Sequence, residues 1–560
     1  MMSRKSRPAP KVAPAAQKWR RLRAARRCSQ FFFLLLFLWL IGVSVATVGA
    51  SHDAAGTGAV SYPVEMFLNI DPFAGVLVFL TTGTVPGAMW AAAVTLILGL
   101  FLGRGFCGWI CPMGTLNHLA GEIKPGLKGA ARIRANKPRP YQKIKYIILV
   151  IALIAALFGS AMGGLLDPLC LATRGIALTV LPLLEWGLQQ TTLALAESDV
   201  GALRAVADGM FRVADSGFLD AAGTMVEGGV LLTLLFTAVL AVNRFIPRFW
   251  CRALCPLGAL LGAAGRFGIL TLRKNEHACT NCGKCERSCQ GAAAPRPGES
   301  WRRSECDLCM NCTAECAETP ALSFALAGYR TDERPGPDLK RRTLLAGSAA
   351  GAALVPVLRT GALESVAGRP DPSRIRPPGA EGERAFLKRC IRCGQCMKIC
   401  PNNALQPALG EAGPEGLWTP VLVPRVGYCE PTCTLCTQVC PTGAIRRLTE
   451  AEKTGTKEVP PFKIGTAFVD KGRCLPWAMN TPCIVCEEFC PVSPKAIVID
   501  ALPADGTHGP LQRPVVRPDR CTGCGACEHI CPVNDQPAIR ICAVGETRDP
   551  DNSLLLKKQK

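Results

Sequence analysis

Two stretches of the chain, CTNCGKCERSC at residues 279–289 and CDLCMNCTAEC at residues 306–316, share the cysteine spacing C-x2-C-x2-C-x3-C. Three cysteines on such a tight loop bind three iron corners of a [4Fe–4S] cube, and the fourth reaches a neighbouring cube. Zinc, the main alternative, uses two C-x2-C pairs separated by a dozen or more residues, which fits tandem runs badly. We therefore predict two clusters that exchange their fourth ligands. One set is Cys279, Cys282, Cys285 and Cys316, and the other is Cys306, Cys309, Cys312 and Cys289.

Four further cysteine runs follow between residues 390 and 531, and each ends in Cys-Pro, as in bacterial ferredoxins. The two earlier runs lack that proline, and there we expect an altered loop with ligation kept. Four runs predict four clusters in two paired units, and pairing of neighbours or of first with last is equally compatible with the sequence. The cysteines are Cys390, Cys393, Cys396, Cys400, Cys429, Cys433, Cys436, Cys440, Cys474, Cys483, Cys486, Cys490, Cys521, Cys524, Cys527 and Cys531.

The composition supports a membrane protein that carries clusters. With 560 residues the chain is long enough for three or four units, and 49% hydrophobic residues with positive mean hydropathy indicate membrane spans. The 31 cysteines fall into runs, which favours cluster ligation over disulfides. The net charge of +21 does not indicate a nucleic-acid partner, because six cubes with four thiolates each would remove about twelve charges. The five histidines include no C-x-x-C-H motif, which argues against c-type haem.

Four apolar stretches are predicted to be transmembrane helices: residues 31–49, about 85–103, 147–166 and 228–242. The first also resembles a signal peptide, but its length favours a retained helix. A surface or re-entrant segment is expected from residue 66, before the second span.

Charge predicts the orientation of these spans. Residues 104–145 carry nine basic side chains against Glu122 alone, whereas residues 167–227 carry eight acidic side chains against three arginines. The positive-inside rule places the first segment in the cytoplasm and the second outside. The runs at 279–316 are then cytoplasmic.

A fifth span is predicted at LKRRTLLAGSAAGAALVPVL, residues 339–358, where Arg341 and Arg342 precede an apolar run. This pattern is typical of a twin-arginine (Tat) export signal, and a plain transmembrane helix with basic flanks is the alternative. Both place the rest of the chain outside.

The predicted architecture is therefore an α-helical membrane bundle of four spans plus a fifth, with α+β ferredoxin-like modules. The predicted domains are a basic cytoplasmic N-terminus (1–30), a four-helix membrane domain (31–270), a cytoplasmic two-cluster module (271–335), the twin-arginine segment (336–360), a linker (361–382) and a periplasmic four-cluster module (383–560).

The predicted membrane domain contains an internal repeat: RGFCGWICPMGTL at residues 104–116 matches RFWCRALCPLGAL at residues 248–260. Each half also has an upstream Asp-Pro pair, at residues 71–72 and 167–168. Two similar hairpins predict a pseudo-twofold bundle that brings both C-x3-C-P loops together. The thiols are those of Cys107, Cys111, Cys251 and Cys255.

These four thiols are predicted to form a redox dithiol, a metal site or a cluster, and the alternative is that they only pack. Arg104 and Arg248 each precede the first cysteine of a pair by three residues, where a cation would lower the pKa of the thiols. The remaining cysteines, Cys28, Cys170 and Cys542, are given no role.

The first half of the chain, with its two C-x3-C-P motifs and tandem runs, resembles NapH and MauN. The second half, with the twin arginine and four runs, resembles NapG and MauM, so the chain looks like a natural NapH–NapG fusion. The resemblance implies quinol oxidation in the membrane and electron delivery to a periplasmic enzyme, typically nitrate reductase. It departs from copper-assembly and nitrous-oxide relatives, since neither an outer flavin-binding domain nor a His/Met-rich tract is apparent.

We therefore expect a multi-pass protein of the bacterial inner membrane that transfers electrons through six [4Fe–4S] clusters and converts no other substrate. The expected partners are the membrane, the quinone pool and a periplasmic redox enzyme or cytochrome. An assembly factor that supplies electrons to a periplasmic metalloenzyme is the alternative, and a redox sensor is disfavoured because no output domain is apparent. The sequence offers no haem ligands to connect modules separated by about 30 Å of hydrocarbon. Quinone or the C-x3-C-P site would have to connect them.

Overall fold

The computed structural model describes residues 14–53, 59–60, 62–123, 127–213, 226–295, 301–316, 321–326, 341–359, 371–456, 458–501, 512–549 and 552. Most of the part before residue 268 is helical, and we call it the helical domain. Two ferredoxin modules follow, the first over residues 270–326 and the second over residues 371–549.

The helical domain contains fourteen α-helices among the described residues, with a π-helical turn at Ile176–Val180 between α9 and α10. The helices are α1 Pro14–Asp53, α2 Met66–Asn69, α3 Pro72–Thr82, α4 Trp90–Leu102, α5 Gly105–Trp109, α6 Pro112–Glu122, α7 Gly129–Ala135, α8 Ile144–Leu157, α9 Pro168–Gly175, α10 Leu181–Ala196, α11 Gly201–Val213, α12 Gly229–Ala241, α13 Phe249–Ala253 and α14 Pro256–Ala264.

Three stretches of described helix are long and apolar enough to cross a membrane: Gln17–Ser44, Gly129–Leu157 and Pro168–Ala196. The helices at Gly87–Leu102 and Gly229–Arg244, which cover two predicted spans, are shorter. The predicted number of four or five spans is therefore not confirmed. The expected re-entrant segment before the second span contains α3, which at eleven residues is also too short to cross alone.

The largest difference from the prediction is Pro168–Ala196, a helical stretch within the segment expected to be an outer loop. The prediction weighed the acidic residues of the whole segment, but only Glu185 falls inside this stretch, and it is buried. The remaining residues are apolar enough to build a buried helix. Helix α1 also crosses the predicted boundary at residue 30, so the described part of the basic N-terminus belongs to the first helix.

Each ferredoxin module combines short helices with two-stranded antiparallel sheets. In the first module β1 pairs with β2 from Leu270↔Leu326 to Lys274↔Leu322, around α15 and α16. The elements are β1 Leu270–Lys274, α15 Lys284–Ser288, α16 Asn311–Glu315 and β2 Leu322–Leu326. Helix α17, Arg341–Leu358, links the two modules along the chain.

In the second module β3 pairs with β4, β5 with β8 and β6 with β7, all antiparallel. Its elements are α18 Glu383–Arg389, α19 Gln395–Lys398, β3 Leu405–Pro407, α20 Gly413–Gly416, β4 Pro420–Leu422, α21 Leu435–Gln438, α22 Glu450–Thr454, β5 Thr466–Val469, α23 Leu475–Ala478, α24 Val485–Glu488, β6 Ile497–Ala501, β7 Gln512–Val516, α25 Ala526–His529 and β8 Ile539–Cys542.

Helix α8 connects the two modules in space. At its first turn Lys145 forms an ion pair with Glu305 of the first module. Just beyond its last turn, the carbonyl of Phe158 accepts a hydrogen bond from Arg359, which leads to the second module. Fourteen helical residues span about 21 Å. The two ferredoxin modules therefore lie at opposite ends of the helical domain.

Candidate functional site

The first module brings its cysteines together in the two sets expected from their spacing. Cys279, Cys282, Cys285 and Cys316 line one pocket at the surface. In the other set, the side chain of Cys312 lies close enough to those of Cys289, Cys306 and Cys309 for their charges to interact. Cys285 and Cys312 are also within that range of each other, so the two sets are neighbours.

The loops that carry the cysteines share a backbone conformation. The residue after the second cysteine adopts a left-handed conformation in four runs and begins a short helix, which carries the third cysteine. It is Gly283 (φ 68°), Met310 (φ 59°), Gly394 (φ 82°) or Gly525 (φ 91°). Glycine adopts this conformation without a steric cost, which accounts for its use at three of these positions. The turn brings the three cysteines of a run close to one another.

The second module pairs neighbouring runs, which decides between the alternatives that the sequence leaves open. Cys440 of the second run lies with the first three cysteines of the first run, and Cys400 with those of the second run. Cys531 likewise lies with the third run, and Cys490 with the fourth. The four sets are Cys390, Cys393, Cys396, Cys440; Cys429, Cys433, Cys436, Cys400; Cys474, Cys483, Cys486, Cys531; and Cys521, Cys524, Cys527, Cys490.

The two pairs of the second module meet at one point. The backbone N–H of Cys429 donates to the carbonyl oxygen of Cys524 at 2.8 Å, and the two thiols are close enough for their charges to interact. The contact joins the set of the second run to the set of the fourth. The four sets therefore follow one another in the order first, second, fourth and third run.

The donor sets fit the clusters predicted for them. Four thiolates at each site suit a cubane with four irons, and backbone N–H groups also point at the sulfurs. The N–H of Ala293 donates to Cys289 Sγ at 3.2 Å, and that of Ile445 to Cys440 Sγ at 3.4 Å. Hydrogen bonds of this kind tune cluster potentials. Among the described residues no three metal-binding side chains converge closely enough to hold a single ion, whereas a cube holds its ligands farther apart.

The four cysteines of the repeated motifs also come together, inside the helical domain. All four are buried, and Cys255 lies close enough to Cys107, Cys111 and Cys251 for their charges to interact. Cys111 and Cys255 occupy equivalent positions at the N-termini of α6 and α14, where Sγ accepts the N–H of Gly114 at 3.4 Å and of Gly258 at 3.2 Å. We call these four residues the four-cysteine site.

The two arginines of the motifs cross between the repeats. Arg104 of the first repeat donates to the carbonyl of Cys251 at 2.8 Å, and Arg248 of the second donates to the carbonyl of Cys107 at 3.1 Å. This reciprocal exchange has the pseudo-twofold relationship predicted from the repeat. Burial raises the pKa of the Cys107 thiol, and the charges of Arg104 and Arg248 act in the opposite direction, as predicted for cations at these positions.

The same arginines attach the helical domain to the first module. Arg104 forms an ion pair with Glu305 at 3.0 Å, and Arg248 forms one with Asp307. These acids flank Cys306 on both sides, and all four charged side chains are buried. The cysteine set that contains Cys306 is thereby held against the four-cysteine site. Neither acid could be identified from sequence, because only the fold brings residues so distant in sequence together.

On its opposite side, the helical domain contacts the first run of the second module. Ile391 belongs to the same buried core as Cys107, Cys111 and Cys255, and Cys393 packs against that core. The hydroxyl of Thr81 donates to the carbonyl of Lys388 at 2.6 Å. A side chain would not fit at Gly164, where the carbonyl of Ile391 lies.

Cys170, to which the sequence analysis gave no role, lies in this part of the core. It is fully buried in α9 and is close enough to Cys393 for their charges to interact. Its place between the four-cysteine site and the second module could not be read from spacing, because it belongs to no motif.

Models of iron–sulfur domain families match five parts of the chain. A 4Fe-4S binding domain matches twice, at residues 84–129 and 228–274, which contain the two C-x3-C-P motifs. A 4Fe-4S dicluster domain matches residues 389–444, and two other 4Fe-4S binding domains match residues 276–292 and 514–534. The chain therefore contains iron–sulfur domains in each ferredoxin module.

Curated relatives match between about a third and a half of the chain's length. Ferredoxin-type protein NapG of Escherichia coli is 38% identical over 172 residues, which are 30% of this chain and 70% of NapG. Methylamine utilization ferredoxin-type protein MauM of Methylorubrum extorquens is 36% identical over 213 residues, 36% of this chain and 88% of MauM. YccM of Escherichia coli, named as an electron transport protein, is 26% identical over 318 residues, 55% of this chain and 77% of YccM. No solved structure matches the chain.

Proposed function

This chain belongs to the family of ferredoxin-type electron-transfer proteins that includes NapG and MauM, and we propose that it carries electrons from quinol through six [4Fe–4S] clusters to a periplasmic enzyme such as nitrate reductase. The clusters are those of the six cysteine sets described above. The N-terminal half acts as the NapH-like part of a natural fusion, and the 318-residue match to YccM supports a second electron-transport unit beyond the NapG-like part.

One observation carries this proposal: the cysteine sets and the four-cysteine site follow one another through the molecule, each attached to the next by direct contacts or a shared buried core. The series starts at the exposed set of Cys279, passes through the set of Cys306 to the four-cysteine site, and reaches the set of Cys390 across a shared buried core. Within the second module the series continues through the sets of the first, second, fourth and third run. Such a series supplies the connection between the two modules for which the sequence offers no haem ligands.

The sidedness of the proposal combines structure and charge. The modules lie at opposite ends of α8, and the positive-inside bias of residues 104–145 assigns the first module to the cytoplasm. The second module is then periplasmic. Helix α17 runs alongside α8 between the two ends, with Gly347 near Val150 and Gly351 near Ile154. This close packing favours a twin-arginine segment that is retained as a helix.

The last set of the series offers a place for the periplasmic partner. The set of Cys474 is bordered by the exposed side chains of Met479 (66%), Ile484 (41%) and Phe489 (54%). Exposed apolar side chains beside a redox centre suit a transient contact with a soluble redox protein.

A second candidate function is electron supply to the maturation of a periplasmic metalloenzyme. The match to MauM, which is named for methylamine utilization and is covered over 88% of its length, is compatible with an acceptor other than a nitrate reductase. The acceptor distinguishes the two functions. Respiratory delivery requires that the loaded protein reduce a mature periplasmic reductase, and an assembly role requires that it reduce only an immature enzyme.

The experiment is anaerobic titration of the purified full chain with a menaquinol analogue, followed by electron paramagnetic resonance and iron analysis. We expect about twenty-four irons per chain, four for each cube, and cluster signals that appear on addition of quinol. An iron content near sixteen per chain would mean that two of the six cysteine sets hold no cluster. Clusters that dithionite reduces but quinol does not would contradict the quinol donor.

A further inference from the structure

The helical domain contains a pair of buried carboxyl groups, one from each sequence repeat. Asp71 precedes α3 and Asp167 precedes α9, and both are 0% exposed. Each caps its helix: one oxygen of Asp71 accepts the N–H of Phe73 at 2.9 Å, and one oxygen of Asp167 accepts the N–H of Cys170 at 2.8 Å. Each cap uses one oxygen of its carboxyl group, and the other oxygen takes no part in capping.

The second oxygen of each carboxyl group is buried without a hydrogen-bond donor among the described residues. In the described part of the chain no N–H or O–H group donates to Oδ2 of Asp71 or to Oδ1 of Asp167. The two side chains are nevertheless within hydrogen-bond contact of each other. Ionised carboxylates only accept hydrogen bonds, so a hydrogen bond between two of them requires a proton on one. A hydrogen bond between these two carboxyl groups therefore requires that the pair hold a proton.

The local charge balance agrees with one proton on the pair. Two negative charges in contact away from water repel each other strongly. Arg174 is buried close enough to Asp167 for their charges to interact, and it provides one positive charge. One proton on Asp71 and Asp167 leaves a single negative charge, which Arg174 balances.

The pair lies between two parts of the electron series. The thiol of Cys111 in the four-cysteine site is within electrostatic range of Asp167. Cys170 is within that range of Asp71, Asp167 and Cys393, the last of which belongs to the first set of the second module. These thiols and Arg174 are charged or titratable groups within electrostatic range of the pair. An electron that arrives on either side adds negative charge near the pair and favours a second proton there.

We propose that Asp71 and Asp167 form a redox-linked proton site, which holds one proton when the adjacent centres are oxidised and two when one of them is reduced. The inference rests on the proposed electron-transfer function. Quinol releases two electrons and two protons as it becomes quinone, so each electron that passes the site has one proton available. The pair binds that proton while the electron is adjacent and releases it when the electron moves on, which keeps the local charge constant.

The test is reduced-minus-oxidised infrared difference spectroscopy of the cluster-loaded full chain, in H2O and in D2O. We expect a carbonyl band of a protonated carboxylic acid that grows on reduction and shifts in D2O. The band should disappear in Asp71→Asn and in Asp167→Asn, whose amide oxygens can still cap α3 and α9. Asp199→Asn is the matched control, because Asp199 is fully exposed and should leave the band unchanged.

A second readout is the pH dependence of the midpoint potential. It is measured on the cluster signal whose potential changes most with pH. One proton per electron changes the equilibrium tenfold per pH unit, or about 59 mV for a one-electron couple, and this slope should fall towards zero in either Asn variant. A wild-type chain without the carbonyl band, or with a band that ignores reduction, would overturn the proton site. A band that responds to dithionite but not to quinol would instead overturn only the quinol donor.

Discussion

At the scale of single residues, the contacts of Arg104 and Arg248 join the first module to the four-cysteine site. Each arginine donates to a cysteine carbonyl of the other repeat and pairs with an acid next to Cys306. Both side chains therefore hold the first module against the four-cysteine site, and their charges also act on the thiol of Cys107. Removal of one partner of such a buried ion pair lowers the stability strongly, because the remaining charge has no water around it.

Removal of one partner of a buried pair gives the first prediction. Arg248→Ala should destabilise the protein by about 3–5 kcal/mol, since Asp307 is left buried without its cation. The double variant Arg248→Ala with Asp307→Ala should recover part of that loss, because no unpaired charge remains. The measurement is thermal unfolding of the anaerobically purified chain. Arg266→Ala, at an exposed arginine, is the control and should change the stability little. An equal loss of stability in the single, double and control variants would contradict the ion pair.

The four-cysteine site gives the second prediction. Cys111→Ser and Cys255→Ser should each stop quinol-dependent electron flow past this site, because the two thiols occupy equivalent positions in one centre. The double variant should be no slower than either single variant, as expected for residues that act as a unit. Stopped-flow absorbance follows the rate, and iron analysis should give unchanged loading of the six cysteine sets. A normal rate in the single variants would mean that these cysteines only pack.

At the scale of elements, what could be read from the sequence depended on whether the information was local. The spacing of cysteines predicted the sets of the first module, because two runs can exchange their fourth ligands in only one way. Pairing in the second module could not be predicted, since it depends on which sheets form. The helical stretch Pro168–Ala196 was missed because the acids around it outweighed its own apolar composition.

Helix α17 gives the prediction at this scale. Its Gly351 lies against α8, where an added Cβ would come within 2.9 Å of the Cβ of Ile154. Gly351→Leu should therefore separate α17 from α8 and lower the yield of cluster-loaded protein in the membrane fraction, because small residues permit this close approach. Ala353→Leu, on the exposed side of the same helix, should have little effect. Equal yields from both variants would show that the packing of α17 on α8 is dispensable.

At the scale of the whole molecule, the fold places the six cysteine sets and the four-cysteine site in one order between two distant surfaces. Neither the repeat nor the runs contain this order, because it arises from contacts such as Arg248 with Asp307, Ile391 with the helical core, and Cys429 with Cys524. The sequence predicted the cysteine sets of the first module and the repeated C-x3-C-P motifs. The structure supplies the connections.

The most direct test of this route uses the full chain in quinone-free vesicles, with orientation determined by protease accessibility of the two modules. A membrane-impermeant reductant is added on the side of the first module, and an impermeant redox dye is trapped on the side of the second. The account predicts that the trapped dye is reduced by the wild-type chain and not by Cys111→Ser. A dye that stays oxidised until quinone is added would contradict a continuous route, and would show that quinone connects the two modules.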